Sequence, residues 1–313
     1  MKRFVSHYKR ELAVALAYLV LLAVLAVEAP VFFHEGFAKT WVSMSPVLIA
    51  AVGMTFVIIA RQIDISIGAQ YSICGVLAGL LAKMNIPMPM VGLCVICAGA
   101  LMGAVNGTLI ALAGLPSIVV TLATMVILRQ SLSWIREGEA VNNLPPGFQW
   151  FGLSQQAGEL LLVGIAAVVT TAFAWGARNL AGGRAVFAVG SDAAAARLAG
   201  IRPRYVTFNA FVLVGATAGF AALLGAVRFA QVDVNAGNGL ELAVIAAVVV
   251  GGTAINGGRG TLIGTVVGVA LLASIGPSLT FLHWPAQWER AVQGLIILVA
   301  VASDRAFGNR RLT

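Results

Sequence analysis

An all-α, polytopic membrane protein with about ten transmembrane helices is the fold class this sequence predicts, on three observations. The 313 residues are 60% hydrophobic and only 10% charged, with a mean hydropathy of +0.95, so polar groups are too few to cover a water-soluble globule of this size. The apolar residues fall into long runs of about 15 to 25 rather than short alternating segments, which suits helices and disfavours a β-barrel. Polar punctuation separates the runs, and a backbone in lipid must satisfy its own hydrogen bonds, which helices do.

Taken in order, the runs are Leu12 to Ala29, Trp41 to Ala60, Ile67 to Ala82, Met88 to Ala113, Pro116 to Ile135, Glu159 to Ala177, Val206 to Ala230, Leu240 to Ala254, Thr261 to Phe281 and Trp288 to Ser303. The first follows Lys2, Arg3, Lys9 and Arg10, as a signal peptide would. Its apolar stretch is longer than a signal core, however, and Pro30 makes a poor cleavage setting, so it reads as an uncleaved span. The third, eighth and tenth runs are short for a full crossing. Broken or re-entrant helices there would leave eight or nine true spans.

Basic residues orient these runs independently of hydropathy. With the N-terminus in the cytoplasm, Lys2, Arg3, Lys9, Arg10, Arg61, Arg178, Arg184, Arg197, Arg202, Arg204, Arg259, Arg305, Arg310 and Arg311 all lie inside, which is most of the 20 lysines and arginines. The net charge of +8 is thereby assigned to orientation and to anionic lipid headgroups. No dense basic tract with interleaved aromatics calls for nucleic acid.

The same orientation puts a polar island, Gly182 to Pro203, in the cytosol. Its stretch from Asp192 to Leu198 is alanine-rich and suits a short helix, with Gly190 and Gly200 as stops on either side. A short helix outside the bilayer is a docking surface for a soluble partner, and Arg184 belongs to the same exposed stretch.

Enzyme classes find little support. The chain has no G-x-x-x-x-G-K-[ST] phosphate cradle, no G-x-S-x-G elbow and no dinucleotide fingerprint, so no cofactor is expected. Cys74, Cys94 and Cys97 sit in apolar runs and the three histidines are scattered. The cysteines therefore read as small residues at helix contacts, with no metal site and no disulfide.

Polar groups inside apolar segments mark the candidate path. In Arg61-Gln62-Ile63-Asp64-Ile65-Ser66-Ile67-Gly68, a carboxylate and a hydroxyl beside glycine point to a helix break, and Asp64 and Ser66 are candidate path residues. The competing reading pairs Asp64 with Arg61 at the cytoplasmic surface. Gly103-Ala104-Val105-Asn106-Gly107, followed by Thr121 and Thr124, suits close helix packing with Asn106 and the threonines bonding across. Arg129, in the same run as Thr121, should face a polar cavity unless it lies near the outer interface. Glu241 heads a glycine-rich region through Gly251, Gly252, Gly257, Gly258, Gly264 and Gly268, which suits local unwinding. As an acid it also favours the positive N-terminus of its own helix.

R-Q-I-D-I-S-I-G, G-A-V-N-G with P-S-I-V-V-T-L-A-T-M, G-R-A-V-F-A-V-G-S-D-A-A-A-A-R-L-A-G-I, E-L-A-V-I-A-A-V-V-V-G-G-T with G-G-R-G-T-L-I-G-T, and the terminal W-E-R-A-V-Q-G-L-I-I-L-V-A-V occur in the order found in permease subunits of bacterial ABC importers for monosaccharides. The chain resembles that family over most of its length. The resemblance implies one transmembrane permease domain over 1–313, working as a pair with a second permease subunit, homodimeric or heterodimeric, in the bacterial inner membrane. It also implies a periplasmic sugar-binding protein that delivers cargo, and a cytoplasmic ABC ATPase docked on the segment 182–203, where Gly190, Asp192, Ala196, Ala199 and Gly200 match the family's coupling residues. Departures from the family pattern are Gln62, Ala69 and Asp192. The tail around Trp284, Trp288 and Asp304-Arg305 most resembles permeases for rhamnose or autoinducer-2, with rhamnose favoured. An ion-coupled secondary carrier is the alternative; Asp64 and Glu241 are its candidate coupling carboxylates.

Overall fold

Nine of the ten predicted runs are helices in the computed structural model, which describes residues 9–285, 287–296 and 298. They are α1 (Lys9–Glu28), α2 (Phe37–Ile59, entered through a π-turn at Phe32–Gly36), α3 (Ile67–Lys83), α4 (Met88–Gly107, continued by a π-turn at Thr108–Leu112), α5 (Ser117–Arg136), α6 (Gln155–Asn179), α9 (Pro203–Ala226), α10 (Leu240–Val250) and α11 (Leu262–Phe281). The polar island forms two more helices, α7 (Ala181–Ser191) and α8 (Ala193–Leu198). The tenth run is helical over 288–296, and its end at Ser303 lies outside the described residues, as do Asp304 and Arg305. Among the described residues, seven helical units are long and apolar enough to cross a membrane, and α3 and α10 are shorter apolar ones.

α10 is the departure from a simple bundle. Eleven residues rise ~17 Å, about half a ~30 Å hydrocarbon core. Irregular chain from Val227 to Gly239 completes the crossing by descending along α3. Val232 packs near Gly75, the Gly237 N–H donates to Ser72 Oγ at 3.0 Å, and Gly237 lies against the Gly68 carbonyl. Val232, Val234 and Gly237 on its inner side are buried, whereas Asp233, Asn235, Asn238 and Gly239 are exposed, so this non-helical backbone lines a water-filled opening rather than facing lipid.

The core is built by backbone proximity. α9 lies against α4, α2 and α3. Along its seam with α4, a Cβ on Gly99 would strike the Gly215 carbonyl, one on Gly103 the Phe211 carbonyl, and one on Gly219 the Val95 carbonyl. The four-residue spacing of Gly99, Gly103 and Gly107 is therefore a packing ridge, as the sequence predicts. Gly264 and Gly268 of α11 do the same against Gly251 and the Ala247 carbonyl. Gly215→Val is expected to cost about 1–3 kcal/mol by overpacking this seam. The test is a lower Tm of the detergent-purified variant, with Leu101→Val on the outward face of α4 as the unaffected control; Leu101 is 68% exposed.

The surface left over is apolar. Leu16, Leu101, Ile127 and Val168 all stand more than half exposed on α1, α4, α5 and α6. A belt of this extent needs lipid around it. Cys94 and Cys97 belong to this outward face of α4, which corrects their reading as helix-contact residues; Cys74 is buried and meets the Val95 carbonyl at 3.5 Å.

The bundle's two ends are sorted. At one, the Gly258 N–H donates to the Ile59 carbonyl at 2.9 Å and the Arg61 guanidinium to the Ser191 carbonyl at 2.6 Å. At the other, Val141 and Val232 form an antiparallel bridge, Trp150 N–H reaches the Val227 carbonyl, and Arg228 donates to Ser43 Oγ. Arg61, Arg178, Arg184, Arg197, Arg202, Arg204 and Arg259 gather at the first end, which the positive-inside rule places in the cytosol.

Candidate functional site

The break between α2 and α3 is where polar residues converge. Arg61 takes a left-handed conformation at φ 62, held there by its bond to Ser191. Asp64 is fully buried three residues later. One of its oxygens accepts from the Ser66 N–H at 2.8 Å and the Ser66 hydroxyl at 2.5 Å, and the other accepts from Gln70 Nε2 at 3.2 Å. Ser66 Oγ accepts in turn from Gln70 Nε2 and Asn106 Nδ2, each at 2.8 Å, which ties α4 to the break. Thr121 of α5 closes the group, donating to the Ser117 carbonyl of its own helix and, at 3.4 Å, to the Ile63 carbonyl.

Asp64, Ser66, Asn106 and Thr121 are therefore brought together, and the pairing of Asp64 with Arg61 is not what the structure shows. Arg61 is committed to Ser191, and the donors to Asp64 are neutral. Thr124 does not join them, since its hydroxyl turns back to the Val120 and Thr121 carbonyls. Gln70 is the member that sequence reading missed. Its signal was its place four residues after Ser66, on the same face of α3. The amides of Gln70 and Asn106 spend their donors inside the cluster, while Gln70 Oε1 and Asn106 Oδ1 remain buried without a partner. An unmet buried acceptor costs ~1–3 kcal/mol, so both are ready to receive a hydroxyl proton.

Glu241 lies apart, in the first turn of α10. Arg129 Nη2 meets its Oε1 at 3.4 Å, while Oε2 is buried without a partner. Arg129 stands ~10 Å inside the nearer, outer end of α5 at Arg136, within the span rather than at its rim. Close by, Gly68 leaves room for the Glu241 carboxylate that any Cβ would displace. Favouring a helix N-terminus explains Glu241 only in part; it also neutralises an arginine at bilayer depth.

The cytoplasmic helices are the third element. α7 buries Val186, Val189 and Gly190. Gly190 is not a stop, as its sequence position suggests, but lies in the last turn of α7, where a Cβ would overlap the Ile59 carbonyl. The interruption comes at Asp192, whose extended backbone starts α8 and whose carboxylate accepts from the Ala194 and Ala195 N–H groups at 2.8 and 3.0 Å. Gly200 does end α8, at φ 81. Arg184 bonds the Asn179 carbonyl, Ala196 is buried, and Ala199 and Gly200 are exposed. Leu198 is 92% exposed, in contact with almost nothing of its own chain.

Those two N–H donors hold the Asp192 carboxyl below the usual carboxylate range. A depressed folded value means the cap stabilises α8 above the unfolded pKa of about 3.9 and is lost as pH falls through the folded one. The Ala194 and Ala195 amides should keep their hydrogen-exchange protection from neutral pH down to about 4 and lose it below. In Asp192→Ala that protection is expected to be missing throughout.

Among the described residues, no group of three or more His, Cys, Asp or Glu could hold a metal ion.

The sequence profile described as branched-chain amino acid transport system / permease component matches residues 36–301. The chain is 30% identical over 305 residues to the autoinducer 2 import system permease protein LsrC of Salmonella typhi, covering 97% of this chain and 88% of that one. It is 31% identical over 294 residues to the ribose import permease protein RbsC of Escherichia coli K12, with 92% of each covered. A probable ABC transporter permease protein, y4mJ of Sinorhizobium fredii, is 32% identical over 315 residues, covering 98% and 92%. No solved structure matches the chain.

Proposed function

Since the chain belongs to the family of permease components of branched-chain amino acid transport systems, we propose that it is the membrane-spanning subunit of an ATP-driven importer for a monosaccharide, with rhamnose the first sugar to test. It is a multi-pass inner-membrane protein. Its partners in this reading are a second permease subunit, a periplasmic sugar-binding protein and a cytoplasmic ABC ATPase that docks on α7 and α8. Relatives named for ribose and autoinducer 2 import support small polyhydroxylated cargo.

One observation carries the docking: a nearly naked Leu198 on a capped helix, at the arginine-rich end. A lone leucine so exposed in water is unremarkable in a loop. On a helix anchored by Ala196, with Arg197, Arg202 and Arg204 within six residues along the chain, it suits a pocket with an acidic rim.

The physical route from that surface inward is short. Movement of α7 bears on the end of α2 through Gly190 and Ile59, on the glycine-rich turn at Gly257 and Gly258, and on Arg61. Asp64 and Ser66 follow Arg61 directly, and Asn106 joins them to α4. The turn at Gly257 and Gly258 in turn connects α10 to α11. Closure of the motor would therefore shift both the α2–α3 break and the half-helix α10, the two interrupted crossings, about the buried polar cluster. The free acceptors of Gln70 and Asn106 would receive sugar hydroxyls there.

An ion-coupled carrier has no support from the relatives, which are named as import-system and ABC transporter permeases. The test is reconstitution of the chain with its ATPase in liposomes, with binding protein supplied outside and labelled rhamnose, ribose and autoinducer 2 offered in turn. Uptake that needs both ATP and the binding protein is expected. Uptake by the permease alone, driven by a proton or sodium gradient, would overturn the reading.

A further inference from the structure

In the outer half of the bundle, a cleft of about 630 Å3 opens between the start of α10 and the helical segment 288–296. Its floor is Gly239, Leu240 and Ala243, and its polar lining is Asn238, Gln287, Glu289, Arg290 and Gln293. Gln293 Nε2 donates to Glu289 Oε1 at 3.1 Å, and the Glu289 carboxylate lies over Gly276 of α11, where a larger residue would displace it. The volume falls within the ~300–1,000 Å3 of small-molecule sites.

The chemistry of that lining is selective. All five polar side chains end in planar groups with two or more hydrogen-bonding atoms side by side: three amides, a carboxylate and a guanidinium. Neighbouring ring hydroxyls, each both donor and acceptor, match such paired atoms two at a time. One negative and one positive group cancel, so the cleft has no net attraction for an ion. A neutral polyol fits better than a phosphate or another ion of a single sign.

We infer that this cleft is the permease's own receiving site, which holds the sugar after the binding protein releases it and before the centre of the bundle opens. The inference rests on the sugar-import reading above. The position agrees with the role. Leu240 lines the cleft and the next residue, Glu241, is locked to Arg129, so the cleft adjoins the turn of α10 that holds the ion pair. Tight binding is not needed, because a transit site must also release.

The test uses the complete importer in liposomes and measures both sugar uptake and ATP hydrolysis stimulated by the binding protein, with rhamnose and ribose as probes. Gln293→Ala removes one amide and Ala243→Phe fills the floor; both positions are only half-buried. Each is expected to leave stimulated hydrolysis intact and to lower the sugar moved per ATP about tenfold, the effect of losing a hydrogen-bonded contact at a site that must hold cargo. Uptake and hydrolysis falling in proportion would indicate a structural role and overturn the inference. So would variants with unaltered sugar per ATP in an importer whose unaltered form is active. No uptake of either probe by the unaltered complex, with stimulated hydrolysis present, would remove the sugar-import reading itself.

Discussion

Leu198→Asp is expected to separate the permease from its motor without unfolding it. The side chain is 92% exposed, so its replacement removes no packing within the chain. Helix α8 keeps its cap at Asp192 and its anchor at Ala196, neither of which touches the altered position. In the docked state, by contrast, burying a leucine is worth ~1.5–3 kcal/mol, and a carboxylate in the same pocket adds a desolvation cost. An acidic rim facing Arg197 and Arg202 would repel it further. A central contact of this kind carries ~2 kcal/mol or more, which is about 30-fold in affinity. The ATPase should therefore fail to co-purify with Leu198→Asp and co-purify normally with Leu198→Met. Equal recovery with both would place the docking surface elsewhere.

How the chain crosses the membrane was legible because lipid imposes a demand that composition reveals directly. Each apolar run had to be a helix, and the short run at Leu240 had to be something less than a full one. The half-helix α10 and the descending chain before it follow from that shortage plus the glycines that let Gly237 and Gly68 touch. Within the polar cluster, Asp64, Ser66 and Asn106 each stood out as polar residues in apolar surroundings. Their meeting did not, because Ser66 and Asn106 are 40 residues apart and only the packing of α4 on the break joins them. Gly190 shows a different limit. A glycine between helical stretches serves either to free the backbone or to leave space, and these uses look the same in a sequence. At Gly200 the first applies, with φ 81; at Gly190 the second does, with the Ile59 carbonyl against it. Arg129 and Glu241 were each noticed for opposite reasons, one as unexplained and one as explained by its own helix. Only their distance shows that each accounts for the other.

That pair yields the other large effect. In Glu241→Ala, Arg129 loses the partner that makes a guanidinium tolerable ~10 Å inside the outer end of α5. A lone arginine at such depth costs about 2.5–3.5 kcal/mol on insertion scales, and its side chain is 30% exposed, so water reaching it should bring the measured cost toward the lower end. Arg129→Ala leaves the opposite problem, a carboxylate whose second oxygen already has no partner, at the start of the half-helix. There the helix N-terminus still favours the negative charge, so this variant is expected to be the milder of the two. Removing both charges takes away both penalties. The double variant Arg129→Ala/Glu241→Ala should be more stable in detergent than Glu241→Ala alone, a reversal that follows only if the two groups compensate one another. Transport is expected to behave differently from stability. Without the pair, nothing charged holds the start of α10 to α5 beneath the outer cleft, so the double variant should fold yet hydrolyse ATP with little sugar moved. A double variant whose losses in stability are the sum of the two single ones would show that the charges act independently, and the 3.4 Å contact would then have no part in holding α10 in place.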